Sequence, residues 1–164
     1  MSIQYGLFSD NGSPVLPPNQ KMIPGQFLQS PSGRFRLELQ GDGNLVIKDH
    51  DAITWIAGSD QPYSRTLTRK QRGAPWFVVS NSGFLYDPAR SRLWLAESTQ
   101  TLDKSYWYHS HMSMQDDGNL VIYDNRKGDL LWARFGFTPG RLSTPTLINV
   151  NGPHSVKDIY TWSF

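Results

Sequence analysis

Residues 35–40 alternate in character. Phe35, Leu37 and Leu39 face one way, and Arg36, Glu38 and Gln40 the other. A period of two predicts a half-buried strand. Gly41-Asp42-Gly43 follows, and Asp-Gly between two alternating runs predicts a hairpin. On the return strand Leu45 and Ile47 point to the core, while Asn44, Val46 and Lys48 share the opposite face. The pattern recurs further on. Met112 and Met114 lead into Gln115, Asp116-Asp117-Gly118 turns, and Asn119, Val121 and Tyr123 take the outer face. No stretch carries the 3.6-residue period of an amphipathic helix. The chain is expected to be all-β.

The two hairpins belong to an internal repeat, LELQGDGNLVIKD (37–49) and MSMQDDGNLVIYD (112–124), offset by 75 residues. Half that offset predicts a middle copy near residue 78, where the chain reads WFVVSNSGFLYD (76–87). A second marker is in phase with the first: an apolar–Trp step follows each copy, at Trp55, Trp94 and Trp132, with spacings of 39 and 38. Fixed self-similarity of this length marks repeated supersecondary units. The expected organisation is one domain, 1–164, with repeats over approximately 20–60, 61–98 and 99–135 and a C-terminal extension over 136–164. Three units are too few for a propeller, which has at least about four blades. The ricin-like trefoil places Gln two residues before Trp, and here those positions are Ile53, Arg92 and Leu130.

Each well-kept hairpin collects a mixed array on its outer side. In the first unit it is Gln40, Asp42, Asn44, Val46 and Lys48, and in the third Gln115, Asp117, Asn119, Val121 and Tyr123. Amides donate and accept, a carboxylate accepts strongly, and Val adds a small apolar patch. A sugar is the matching surface, with hydroxyls that donate and accept beside an apolar C–H face. Asp and Asn also serve turns for purely local reasons. Turn service leaves Gln, Val and Tyr at fixed offsets on the expected solvent side without a reason.

The pattern Gln-x-Asp-x-Asn-x-Val-x-Tyr resembles the sugar-binding motif of the bulb-type, snowdrop-agglutinin-like mannose-binding lectins. It is complete at Gln115, Asp117, Asn119, Val121 and Tyr123, and present with Lys48 in place of Tyr in the first unit. The preceding LPPNQKMIPGQFLQSPSGRFRLELQ resembles the segment that opens the family's first repeat. The resemblance spans roughly residues 15–135. It implies a β-prism II of three four-stranded sheets, with the Trp residues packed inside. It also implies sugar contacts: Asp and Asn to the 2-hydroxyl of mannose, Gln to the 3-hydroxyl, Tyr to the 4-hydroxyl, and Val against the ring carbons. The third unit is expected to be the main site and the first a secondary one, since the Lys48 ammonium donates but cannot accept. In the middle unit Val78 or Val79 stands in place of Gln, and Ser80 to Gly83 in place of Asp-x-Asn, so that site is expected to be silent. The expected partners are mannose-containing glycans or bacterial surface polysaccharide. The stretch ending IYTWSF alternates and is β-like; members of this family often exchange a C-terminal strand, which implies a homodimer through it, the alternative being a strand that packs on its own subunit. Plant members usually carry a disulfide, and this chain has no Cys, which points to a bacterial relative. Among those are lectin-like bacteriocins, toxins that bind surface polysaccharide; they usually carry two such domains in tandem, and one is present here.

Composition narrows the alternatives. With no Cys, disulfides, Cys-ligated zinc and a Cys nucleophile are excluded. Sixteen basic against fourteen acidic residues give +2, which does not suit a nucleic-acid protein driven by overall charge. No apolar run approaches the roughly 20 residues of a spanning helix. The start, MSIQYGLFSDNG, lacks a basic n-region and a long apolar stretch, so it is not read as a signal peptide. Action outside the cell is expected to follow release by another route. Asn11-Gly12-Ser13 is a glycosylation sequon with meaning only in a eukaryotic secretory protein. Arg65, Arg69, Lys70 and Arg72 fall within 61–75 with no acid, a solvated face or a contact for an anionic partner. His109 and His111 share a strand face without an evident third metal ligand. There is no Gly-x-Ser-x-Gly, P-loop or dinucleotide fingerprint, so no enzyme activity and no cofactor are expected.

Overall fold

The computed structural model describes residues 4–59, 63–80, 82–96, 109–126, 128–135, 144–149 and 158–163. Three short strands come first: β1 (Gly6–Leu7), β2 (Val15–Leu16) and β3 (Gln20–Lys21). The first four-stranded sheet is an antiparallel meander of β4 (Phe27–Gln29), β5 (Phe35–Leu39), β6 (Leu45–Asp49) and β7 (Ala52–Ile56). The second contains β8 (Ser64–Leu67), β9 (Trp76–Val78), β10 (Phe84–Asp87) and β11 (Ser91–Trp94), in the order β8-β11-β10-β9. The third contains β12 (Ser110–Met114), β13 (Leu120–Asp124) and β14 (Asp129–Ala133). Its fourth strand is β2, which pairs Leu16 with Met112 and Val15 with Ser113. The N-terminal segment therefore completes the last sheet. A C-terminal hairpin, β15 (Thr144–Asn149) and β16 (Asp158–Ser163), pairs within the same chain.

The alternation read along the chain sets the inner faces. Leu37, Leu39, Leu45 and Ile47 of the first sheet meet Phe77, Leu85 and Leu93 of the second and Met112, Met114, Leu120 and Ile122 of the third in one core. Each such side chain contributes roughly 1.5–3 kcal/mol on burial, and the shared core fixes three outward faces. The architecture is a β-prism II.

Not all three marker tryptophans pack inside. A bulge interrupts β6–β7 between Ile47 and Lys48, and another interrupts β13–β14 between Ile122 and Tyr123. The extra residue brings Trp55 opposite Ile47 and Trp132 opposite Ile122, both buried. The β10–β11 pairing has no bulge, so Leu93 stands opposite Leu85 and Trp94 opposite Phe84. A slip of one residue turns a strand's side chains to the other face. Leu93 takes the core position and Trp94 turns outward, contrary to the expectation for the middle unit.

Candidate functional site

The first-unit turn is tied by its own backbone. Gln40 N donates to Asn44 O at 2.9 Å, and Gly43 N to Gln40 O at 3.0 Å. Gly43 has φ +88, a left-handed conformation that suits glycine. One oxygen of Asp42 accepts from Asn44 N at 2.9 Å, and the other from Asn44 Nδ2 at 3.2 Å. A carboxylate has about four acceptor positions, so Asp42, which is exposed, keeps capacity for a ligand hydroxyl. Gln40 and Asn44 are half-buried, and among the described residues the Gln40 side chain has no hydrogen-bond partner. Val46 is buried between its strand neighbours Glu38 and Ile56. Lys48 Nζ lies 2.9 Å from Glu38 Oε2, so its charge is already met. Arg90 of the second unit donates to the Asp42 carbonyl at 2.7 Å and braces the turn from outside.

The third-unit turn repeats this backbone. Gln115 N donates to Asn119 O at 2.9 Å, Gly118 N to Gln115 O at 3.0 Å, and Asn119 N to Asp117 Oδ1 at 2.8 Å. Its side chains are differently engaged. Gln115 Nε2 donates to both oxygens of Asp117, at 3.2 and 3.3 Å, and Gln115 Oε1 accepts from Trp162 N at 3.0 Å. Asn119 Oδ1 accepts from Phe135 N at 2.9 Å. The Tyr123 ring lies 5.1 Å from Trp162, 5.5 Å from Tyr160 and 5.6 Å from His111. Val121, Tyr123, Ala133 and Trp162 form a small apolar cluster of their own. Gln115, Asn119, Val121 and Tyr123 are all buried, and only Asp117 is exposed.

The apolar-aromatic stripe expected on the solvent side of the third unit is thus covered. The cover is β16 of the same chain, whose alternation places Tyr160 and Trp162 on one face. Nothing in the local sequence says which surface a terminal strand will meet, its own chain's or a second subunit's. Beneath it Ser113 Oγ is buried and has no hydrogen-bond partner among the described residues.

No protein-family model matches the chain. Among solved structures, a monomeric monocot mannose-binding lectin from Gastrodia elata superposes with a TM-score of 0.53, at 23% identity, over 74% of this chain and 96% of the lectin. The fold is that of the bulb-type lectins. A Marasmius oreades lectin superposes with a TM-score of 0.50, at 21% identity, over 79% of this chain and 94% of that one. A G-type lectin S-receptor-like serine/threonine-protein kinase of Arabidopsis thaliana is 26% identical over 122 residues, or 68% of this chain. The chain spans 13% of that relative's length.

In this bulb-type frame the middle unit aligns by register. Val78 pairs with Phe84 and points outward, while Val79 joins the core. Val78, Ser80 and Ser82 therefore stand where the other units have Gln, Asp and Asn, and Phe84 and Tyr86 follow. Asn81 lies outside the described residues.

The His109–His111 pair is not gathered with a third ligand: among the described residues no group of three metal-ligating side chains occurs. His111 Nδ1 donates to the His109 carbonyl at 3.0 Å, and its ring stacks on Tyr123. Burial pushes the His111 pKa below its ordinary 6.5. A histidine kept neutral in the native state binds its proton more readily when unfolded, so stability is full above about pH 6.5 and declines as pH falls below it. Thermal melting between pH 7.5 and 5 is expected to show this decline, and His111→Gln to flatten it. Asp49 and Asp124, held below the ordinary 3.8 by their hydrogen bonds from Arg34 and Arg126, contribute stability that is full above the usual carboxylate range and is lost as pH falls through it towards their lowered values.

Proposed function

We propose that this chain is a non-enzymatic lectin for mannose-type glycans. In the conformation described, the first-unit array of Gln40, Asp42, Asn44, Val46 and Lys48 is the working site. The third-unit array of Gln115, Asp117, Asn119, Val121 and Tyr123 becomes available when the β15–β16 hairpin lifts. The observation that carries this reading is the turn common to both units. In each, an aspartate accepts the backbone N–H two residues on while one strand face carries an amide on either side of it.

At the first unit Asp42 accepts a hydrogen bond from a sugar hydroxyl, Asn44 and Gln40 bond to neighbouring hydroxyls, and the buried Val46 underlies the array as packing between its strand neighbours. Lys48 donates only, and shares its charge with Glu38. At the third unit the buried, unpartnered Ser113 hydroxyl supports a surface suited to polar ligand groups. Asp116, beside Asp117 in the turn, accepts from Ser32 N through Oδ1 at 2.8 Å and ties the third-unit turn to the first unit. A shallow site of this kind implies a monosaccharide Kd of about 1 mM, roughly 4 kcal/mol.

Asp42→Asn keeps an acceptor for the turn and removes the charge. Titration calorimetry with methyl α-mannoside is expected to show a loss of about tenfold or more, the scale of a hydrogen bond to a charged group. Asp117→Asn is expected to leave wild-type binding almost unchanged. If Asp42→Asn binds as tightly as wild type, the first-unit assignment is wrong.

A further inference from the structure

We propose that the outer face of the second sheet is a separate binding surface for linear anionic polysaccharide, specifically chains of uronic acids. This surface uses none of the Gln, Asp and Asn positions above and stands whether or not the mannoside reading holds. The middle unit lacks those amides, and aromatic rings occupy its outer face instead. Trp94, Phe84, Trp76 and Tyr5 follow one another across the sheet, with ring centres 5.0, 5.4 and 6.2 Å apart. Tyr86 flanks Trp76 at 5.3 Å. All five rings are partly exposed. Their presence follows from the missing bulge, which turned Trp94 outward, and from the placement of Phe84 where the other units have Val. Five partly exposed rings gathered on one sheet face offer an apolar surface to a ligand. The electron-rich ring faces attract C–H groups, and a pyranose ring presents C–H groups on its flat side.

Charge selects among such ligands. Residues 63–96 contain six basic side chains, Arg65, Arg69, Lys70, Arg72, Arg90 and Arg92, and one acid, Asp87. The rest of the chain has ten basic against thirteen acidic residues. The one acid is buried and is paired with Arg90. Two cations lie over rings at one side of the strip: Lys21 Nζ is 5.6 Å from the centre of the Trp76 ring and the Arg92 guanidinium 5.7 Å from the centre of Tyr86. The loop bearing the exposed Arg69, Lys70 and Arg72 is fastened at the Tyr86 end. Tyr86 OH donates to Gln71 Oε1 at 3.2 Å, and Gln71 N to Pro88 O at 2.8 Å. A strip of rings bordered by cations fits a chain of sugars whose carboxylates project beyond their flat faces. A neutral glycan leaves those cations unmatched.

The test is calorimetric titration with tetragalacturonate, with mannotetraose as the neutral probe. The expected result is saturable binding to tetragalacturonate that weakens as salt rises, as exposed charge pairs do. Trp76→Ala is expected to weaken it about fivefold or more, the scale of a lost aromatic contact, and Asp42→Asn to leave it unchanged. The double variant Lys21→Gln, Arg92→Gln changes only side chains at the border and is expected to weaken it too, which keeps the test decisive if Trp76→Ala misfolds. Absence of tetragalacturonate binding would overturn the proposal. So would equal binding of mannotetraose at the rings, or indifference to both sets of substitutions. Binding only to anionic phosphatidylglycerol vesicles would assign the surface to a membrane instead.

Discussion

Trp162→Ala is expected to raise the number of methyl α-mannoside sites from one per chain to two. Trp162 is central to the wild-type cover, beside Tyr160, which also meets Tyr123. Trp162 packs on Tyr123, and its backbone N–H bonds to Gln115. Removing a buried tryptophan side chain costs about 3–5 kcal/mol. Pairing with β15 alone does not hold the hairpin down, because an isolated two-stranded ribbon is marginally stable in water. The prism itself is expected to stay folded, since Trp162 belongs to the small outer cluster and not to the main core. Lifting the hairpin frees Gln115 Oε1 and uncovers Val121 and Tyr123. Calorimetric stoichiometry reads the outcome, with far-ultraviolet circular dichroism as the folding control. An unchanged stoichiometry in a folded variant would mean that the third array does not bind mannosides even when opened.

Gly43→Ala is expected to damage stability and binding together. At φ +88 any side chain is strained, and an added Cβ would stand 2.6 Å from Arg90 Nη2 and 2.7 Å from Asp87 Oδ2. Neither atom retreats easily. Asp87 is buried and accepts from Ala89 N, while Arg90 is bound to both Asp87 and the Asp42 carbonyl. The combined strain is expected to cost about 1–3 kcal/mol. It is also expected to displace the turn that aims Asp42 and Asn44. Gly25→Ala is the control: it has a similar φ, +91, and open space around the new Cβ. Urea midpoints for the two variants separate backbone strain from the collision. Equal losses would show that the contact with Arg90 and Asp87 is unimportant.

Most of the prism was legible because its strands obey a period of two. Phe35, Leu37 and Leu39 are buried in alternation with half-buried Arg36 and Glu38, as the sequence pattern requires. The hairpin turns were equally readable, since Asp-Gly fixes both the turn and the following register. Two things were not. The side to which Trp94 points depends on the presence of a bulge, and one residue of slip leaves no mark in a pattern of apolar positions. The burial of the third-unit array depends on where a terminal hairpin docks. That is a long-range choice, made by Tyr160 and Trp162 meeting Tyr123, and local periodicity carries no information about it. The origin of the third sheet's fourth strand is long-range in the same way: Val15–Leu16 lies about a hundred residues from its partner.

Mapping of backbone amide shifts during titration with methyl α-mannoside tests the central claim most directly, because it reports which unit is touched in the intact chain. Shifts confined to the stretch from Gln40 to Lys48 in the wild type, joined by Gln115 to Tyr123 in Trp162→Ala, are the predicted result. Shifts centred on Gln115 to Tyr123 in the wild type, with the first unit silent, would contradict it, as would the absence of any saturable shift.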